Sequence, residues 1–117
     1  MRKVDFENYK RWITERCCLL CGDNTSVQAA HLRMHDPRFA KDNPGTGTKD
    51  HRFINPLCSR HHHEQTNMGE RMFWAQFPQV DPGVASVALK EACFFSRNPD
   101  EDADRLIRYW NEMAKYD

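Results

Sequence analysis

The sequence predicts an α+β fold: a small core of two strands and one helix stapled by zinc, with an N-terminal helix and additional C-terminal helices. Two pairs of residues with zinc-binding spacing, Cys18 with Cys21 and Cys58 with His61, predict the metal. Short apolar segments near these pairs have strand character, and the residues after Met72 have a helical pattern.

The predicted zinc site consists of Cys18, Cys21, Cys58 and His61. Thiolate sulfur and imidazole nitrogen are the usual ligands of tetrahedral zinc, and ligands two residues apart in a tight turn can reach one ion. Cys17 could replace Cys18, although Cys18 has the more usual spacing before Cys21. Because the four residues supply a full tetrahedral set, the zinc is expected to be structural.

The N-terminal part of the chain predicts a helix followed by a strand. Residues 5–16 carry Phe6, Tyr9 and Ile13 at helical spacing, with Asp5 as the N-cap. After a turn, residues 27–32 predict a strand with His31 near its end. Residues 36–50 are rich in Pro and Gly and predict a long loop.

A second strand is predicted over residues 53–57, with Pro56 ending it, and a helix that carries the histidines over residues 60–71. Helical segments follow to about Phe77, from Val84 to Phe95, and after a break at Asn98 and Pro99. Cys93 lies in an apolar run and is expected to pack in the core.

Composition indicates one small domain outside the membrane. The 117 residues contain no apolar run near the roughly 20 residues that a membrane crossing needs. Residues 1–12 are charged rather than apolar, so we expect a cytoplasmic protein, in which cysteines rarely form disulfides. The net charge is zero, but residues 1–72 carry twelve Lys or Arg against nine Asp or Glu, which weakly favours a phosphate-binding surface there.

The order of these motifs resembles the HNH endonuclease family, which has a ββα-metal fold, and especially its phage-type branch that includes the phage recombination-enhancement nuclease. The motifs that carry the resemblance are Ala30-His31-Leu32, Gly47-Thr48-Lys49, Pro56-Leu57-Cys58 and His61-His62. The resemblance covers about half of the chain. It implies a single domain, 1–117, with an HNH-like core at about 17–74 and a helical C-terminal extension at about 75–117, encoded by a bacterial host or its phage.

By this resemblance, His31 is the general base that activates water for attack on a DNA phosphodiester bond. His62 matches the histidine that holds a single divalent cation, Mg²⁺ or Mn²⁺, which stabilises the phosphate charge.

The second ligand of that cation remains open in the sequence. Many family members place a ligand directly before the base, or four residues after the helix histidine, where this chain has Ala30 and Thr66. Asp50 is favoured instead, because a carboxylate suits magnesium or manganese, and His51 is the alternative. One of these two, or Asn55, could fill the family's central Asn position, which tethers the loop.

Arg33, Lys49 and Arg52 flank the predicted site and could bind phosphates, whereas His35 and His63 are expected to be bystanders. The leading hypothesis is therefore a metal-dependent endonuclease that acts on DNA. A zinc-organised DNA-binding module with weak or no catalysis is the alternative. A protein-interaction domain that uses the C-terminal aromatic residues is a third hypothesis.

Overall fold

The computed structural model describes residues 3–34, 38 and 53–116. Within them the chain is α+β, as predicted, with five helices and one two-stranded antiparallel sheet. In chain order the elements are α1 (Lys3–Thr14), β1 (Val27–His31), β2 (Ile54–Cys58), α2 (Ser59–Met68), α3 (Glu70–Ala75), α4 (Pro82–Phe95) and α5 (Pro99–Met113). No helix in this part of the chain combines the length and the apolar character that crossing a membrane requires.

The sheet brings together the two segments on which the predicted site depends. In its register Val27 faces Cys58 and His31 faces Ile54, so His31 ends one strand at the edge where the other begins. Pro56 lies inside β2 rather than ending it, contrary to the sequence interpretation. It is tolerated because a two-stranded sheet has only edge strands, and its carbonyl accepts a hydrogen bond from the Leu19 N–H at 2.8 Å.

The long helix predicted over residues 60–71 is two helices. Gly69 separates α2 from α3 with a φ of 87°, a left-handed value that suits glycine. Its N–H donates to the Gln65 carbonyl at 3.0 Å and so closes the last turn of α2. The interruption redirects the chain, so that α3 can pack Phe73 and Trp74 into the core.

The other helix boundaries differ from the predictions by one or two residues. Asp5 lies in the first turn of α1 and is not its N-cap. The α4 helix begins at Pro82, where Asp81 accepts a hydrogen bond from the Val84 N–H at 3.1 Å. The pair Asp81-Pro82, an N-cap residue followed by a proline in the first turn, is the sequence signal of that start.

The apolar core gathers residues from every described element except α2, whose buried residues are His61 and Gln65. Its largest fully buried apolar side chains are Tyr9, Ile13, Leu19, Ile54, Leu57, Phe73 and Leu89. The α5 helix also closes over α1: the Trp12 indole N–H donates to Asp100 at 2.7 Å, and Arg16 pairs with the same carboxylate at 3.3 Å. Cys93 packs against this core and is half-buried, in line with its predicted role.

Candidate metal centre and histidine cleft

A tight turn after α1 presents the first two predicted metal ligands, Cys18 and Cys21. The Cys18 N–H donates to the Asp23 carbonyl at 2.8 Å, and the Gly22 N–H donates to the Cys18 carbonyl at 3.0 Å. Gly22 adopts a φ of 78°, which lets the chain reverse directly after Cys21. The turn therefore directs both sulfur atoms to one side.

The second pair comes from the junction of β2 and α2. Cys58 is the last residue of the strand, and His61 lies in the first turn of the helix. Cys58 is also the N-cap of α2, and residues three apart in a helical turn lie on the same face. Because β2 also accepts the Leu19 N–H at the Pro56 carbonyl, this junction lies beside the first turn.

The four side chains meet as the sequence predicts. All of their ligand atoms lie within 4.8 Å of one another. The His61 Nδ1 is 3.5 Å from the Cys18 Sγ and 3.3 Å from the Cys58 Sγ, and the Cys21 and Cys58 sulfurs are 3.9 Å apart. Ligands at roughly 2.0–2.3 Å from a tetrahedral ion are separated by about 3.5–3.8 Å, so this cluster can hold a metal ion of zinc size.

Burial alters the acid–base properties of two of the four residues. Burial raises the pKa of the Cys18 thiol to about 12, so its thiolate needs a neighbouring cation at neutral pH. Burial lowers the pKa of His61, which keeps the imidazole neutral and able to coordinate. The Cys21 and Cys58 sulfurs are also too far apart for a disulfide.

Two sets of contacts support the cluster from outside. The ring of His61 meets Phe73 and Phe77 edge-on, with centroids 6.2 and 6.1 Å away. The amide of Asn111, on α5, donates to the Cys18 carbonyl at 3.0 Å and to the Leu19 carbonyl at 2.7 Å. The C-terminal helix therefore fixes the backbone of the first cysteine turn.

His31 and His62 line the same open cleft, which has a volume of about 660 Å³. His31 is half-buried at the end of β1, and His62 is half-buried on α2. The cleft is bounded by α1, by the end of β1 and the residues after it, and by α2 and α3. Its other described lining residues are Lys10, Ala29, Arg33, Met34, Gln65, Thr66, Gly69, Glu70 and Arg71.

Gln28 orients the ring of His62. The His62 Nδ1 lies 2.6 Å from the Gln28 Oε1. An amide oxygen only accepts hydrogen bonds, so this contact requires the proton on Nδ1. The contact fixes the orientation of the imidazole ring at the edge of the cleft.

Glu70 and Gln65 hold the segment that carries His31. The Glu70 carboxylate accepts from the Arg33 N–H at 2.7 and 2.9 Å and from the Met34 N–H at 3.0 Å. The buried Gln65 amide donates to the His31 carbonyl at 3.5 Å and accepts from the Trp74 indole at 2.9 Å. Sequence reasoning assigned no role to Glu70 or Gln65. The one available signal was a glutamine and a glutamate close to the helix histidines.

The remaining predicted site residues divide into four groups. Arg33 is exposed and lines the cleft. Asp50, His51, Lys49 and Arg52 lie outside the described residues, as does His35. His63 is exposed and contacts Asn67 at 2.9 Å. Asn55 is fully buried, and its amide donates to the Pro82 carbonyl at 3.0 Å, which attaches β2 to α4.

No family model, curated protein sequence or solved structure matches this chain. Inference about its activity therefore depends on the geometry of the cysteine and histidine cluster and of the cleft beside it.

Proposed function

We propose that the protein is a zinc-stapled, metal-dependent endonuclease of the HNH type that hydrolyses phosphodiester bonds in DNA. The observation that carries the proposal is that His31 and His62 line one cleft next to a four-ligand metal cluster. The elements around the cleft run strand, strand, helix, which is the order of a ββα-metal core. Lys10, Arg33 and Arg71 at the cleft would attract an anionic substrate.

The metal of the cluster is zinc in this proposal, and its role is structural. Three sulfurs and one imidazole nitrogen are a closed ligand set that leaves no position for substrate. The ion would join the turn after α1 to the junction of β2 and α2, which are separated along the chain by the whole sheet. Such an ion stabilises the folded state because the unfolded chain offers no formed site.

In the proposed mechanism His31 is the general base. It accepts a proton from a water molecule, and that water attacks the scissile phosphorus while the bond from phosphorus to the leaving sugar oxygen breaks. The leaving oxygen takes up a proton from solvent. Its backbone carbonyl contacts Gln65, and the two residues that follow Leu32 donate to Glu70, so the segment has a fixed position from which His31 can act.

His62 would hold the catalytic cation, Mg²⁺ or Mn²⁺, through its Nε2, since Gln28 contacts the other ring nitrogen. When bound, that cation supplies stabilisation of the negative charge that grows on the phosphate oxygens. Asp50 is the favoured second ligand and His51 the alternative. Thr66, where some family members have a histidine ligand, donates its hydroxyl to the His62 carbonyl at 3.1 Å.

The test is a nicking assay on supercoiled plasmid with Mg²⁺ or Mn²⁺, using three histidine variants. His31→Ala should lower the cleavage rate about 100-fold or more while DNA binding is retained. His62→Ala should raise the Mn²⁺ concentration needed for cleavage. His63→Ala is the matched control, since it is exposed on the same helix, and it should cleave like the wild type. Wild-type cleavage by His31→Ala would exclude this mechanism.

A DNA-binding module without catalysis is the second candidate. It is favoured by Ala30, which is buried in β1 and offers no ligand where many HNH proteins have one. The same assay separates the two candidates. Purified wild-type protein that binds plasmid but leaves it intact with either cation would support the module and reject the nuclease.

A further inference from the structure

Three exposed cations from three separate segments line the histidine cleft. Lys10 lies on α1, Arg33 follows β1, and Arg71 lies on α3. Of these three, sequence reasoning named only Arg33. The fold brings all three to the same cleft.

These three side chains form no ion pair within residues 3–34, 38 and 53–116. Other cations of the same region do: Arg16 pairs with Asp100, and Arg60 with Glu64. The cleft also has one described carboxylate, Glu70, whose two oxygens accept backbone N–H groups. The described lining thus combines three exposed cations with one carboxylate that is already engaged.

The described part of the lining offers no Phe, Tyr or Trp ring on which bases could stack. Among the described residues its only aromatic rings are the two imidazoles. Binding through bases uses aromatic side chains for stacking, or bidentate contacts to base edges in a groove. Cations on long flexible side chains around an open cleft suit phosphate oxygens instead.

We propose that Lys10, Arg33 and Arg71 form a phosphate-binding track that holds the DNA backbone next to the phosphate at His31. This inference rests on the proposed function in taking DNA as the ligand, but it concerns binding and not cleavage. Its contacts with phosphates do not depend on the DNA sequence. It positions the backbone so that one phosphodiester enters the cleft between the two histidines.

The experiment measures how salt weakens DNA binding. Zinc-loaded protein without added Mg²⁺ or Mn²⁺ is titrated into fluorescent 20-base-pair duplexes at about 50 to 200 mM salt, and anisotropy gives the affinity. Each lost phosphate contact lowers the slope of log affinity against log salt by about 0.9. The Lys10→Gln, Arg71→Gln double variant should therefore have a slope shallower by about 1.8. Over this salt range the wild type should lose about 12-fold more affinity than the double variant.

The matched control is the Arg11→Gln, Arg108→Gln double variant. Arg11 neighbours Lys10 on α1 and Arg108 lies on α5; both are exposed, and neither lines the cleft. The control should keep the wild-type slope. Two duplexes of unrelated sequence should give the same result, because the track contacts phosphates alone.

An unchanged slope for the Lys10→Gln, Arg71→Gln protein would overturn the proposal, as would an equal loss in the control pair. A slope change for one duplex sequence alone would also overturn it. The nicking assay separates this failure from that of the nuclease. A wild type that binds with the expected slopes but does not nick plasmid keeps the track and rejects the nuclease. If the wild type nicks plasmid but the double variant keeps the wild-type slope, the nuclease is supported and the track is rejected.

Discussion

Asn111 provides a sharp test of how the C-terminal helix supports the metal cluster. Asn111→Ala removes the two hydrogen bonds, of 3.0 and 2.7 Å, that its amide donates to the carbonyls of Cys18 and Leu19. Both of these residues are fully buried. The Cys18 carbonyl keeps its bond from the Gly22 N–H, so it loses one hydrogen bond, worth about 1 kcal/mol net. The buried Leu19 carbonyl loses its side-chain partner, which costs about 1–3 kcal/mol. The expected loss in the free energy of unfolding is therefore about 2–4 kcal/mol.

Urea unfolding of the zinc-loaded protein measures this loss, and a thermal scan should show a Tm lower by about 8–16 °C for a domain of this size. Asn67→Ala is the matched control. Asn67 is exposed and bonds the exposed His63, so its removal should change stability by less than about 0.5 kcal/mol. An Asn111→Ala protein as stable as this control would refute the proposed support.

A substitution at Gly22, in the cysteine turn, tests the contact between Asn111 and that turn independently. A Cβ at Gly22 would lie 2.8 Å from the Asn111 Oδ1, and the residue has a positive φ. Gly22→Ala should thus cost about 1–2 kcal/mol from the backbone conformation alone, and more from the collision. In the Asn111→Ala background the collision disappears, so the two effects should not add. Additivity within about 0.5 kcal/mol would show that the two residues act independently.

Three further predictions concern the cleft and the cluster. Gln28→Ala should weaken Mn²⁺ binding measured by calorimetry, whereas Gln28→Glu should retain it because it keeps an acceptor for the His62 Nδ1. Equal Mn²⁺ affinities in the two variants would contradict the orienting role of Gln28. Glu70→Ala should slow cleavage about 10-fold or more, because it releases the segment after His31. DNA affinity should stay the same or rise. Slower cleavage caused by weaker DNA binding would count against this role of Glu70. The chelated protein should lose stability as the pH rises above 9, because the folded pKa of Cys18, about 12, exceeds its ordinary value of 9.0 and the folded state then binds more protons. The zinc-loaded protein should instead gain stability up to about pH 9, because its thiolates take up protons only on unfolding; urea titrations that show the same sign for both forms would argue against a metal at Cys18.

The sequence predicted the parts of the site that depend on local spacing. Cys18 and Cys21 share one turn, and Cys58 and His61 share one strand–helix junction, so short-range geometry is sufficient to identify each pair. The α+β class and the order of the elements followed from periodicity in the same way. Gly69 was visible as a breaker, but its positive φ decided that the helix ends there.

The supporting contacts were not predictable, because they join residues that are distant along the chain. Gln28, Glu70 and Asn111 belong to types that are common on exposed surfaces, and no spacing distinguishes them from other polar residues. Their roles depend on which helix packs against which turn. Asn111 reaches the cysteine turn only because α5 closes over α1, and a pattern of apolar residues specifies a buried face without naming its partner.

The contact between Asn111 and the first cysteine turn also sets an order of events during synthesis. The amide that holds the Cys18 carbonyl is 93 residues further along the chain. At about 5–20 residues per second, a ribosome makes Asn111 roughly 5–19 s after Cys18. During that interval the thiols of the turn exist without their final support, and other metals or oxidants in the cell can reach them. We therefore expect the first cysteine turn to reach its final, supported conformation only after α5 has been made.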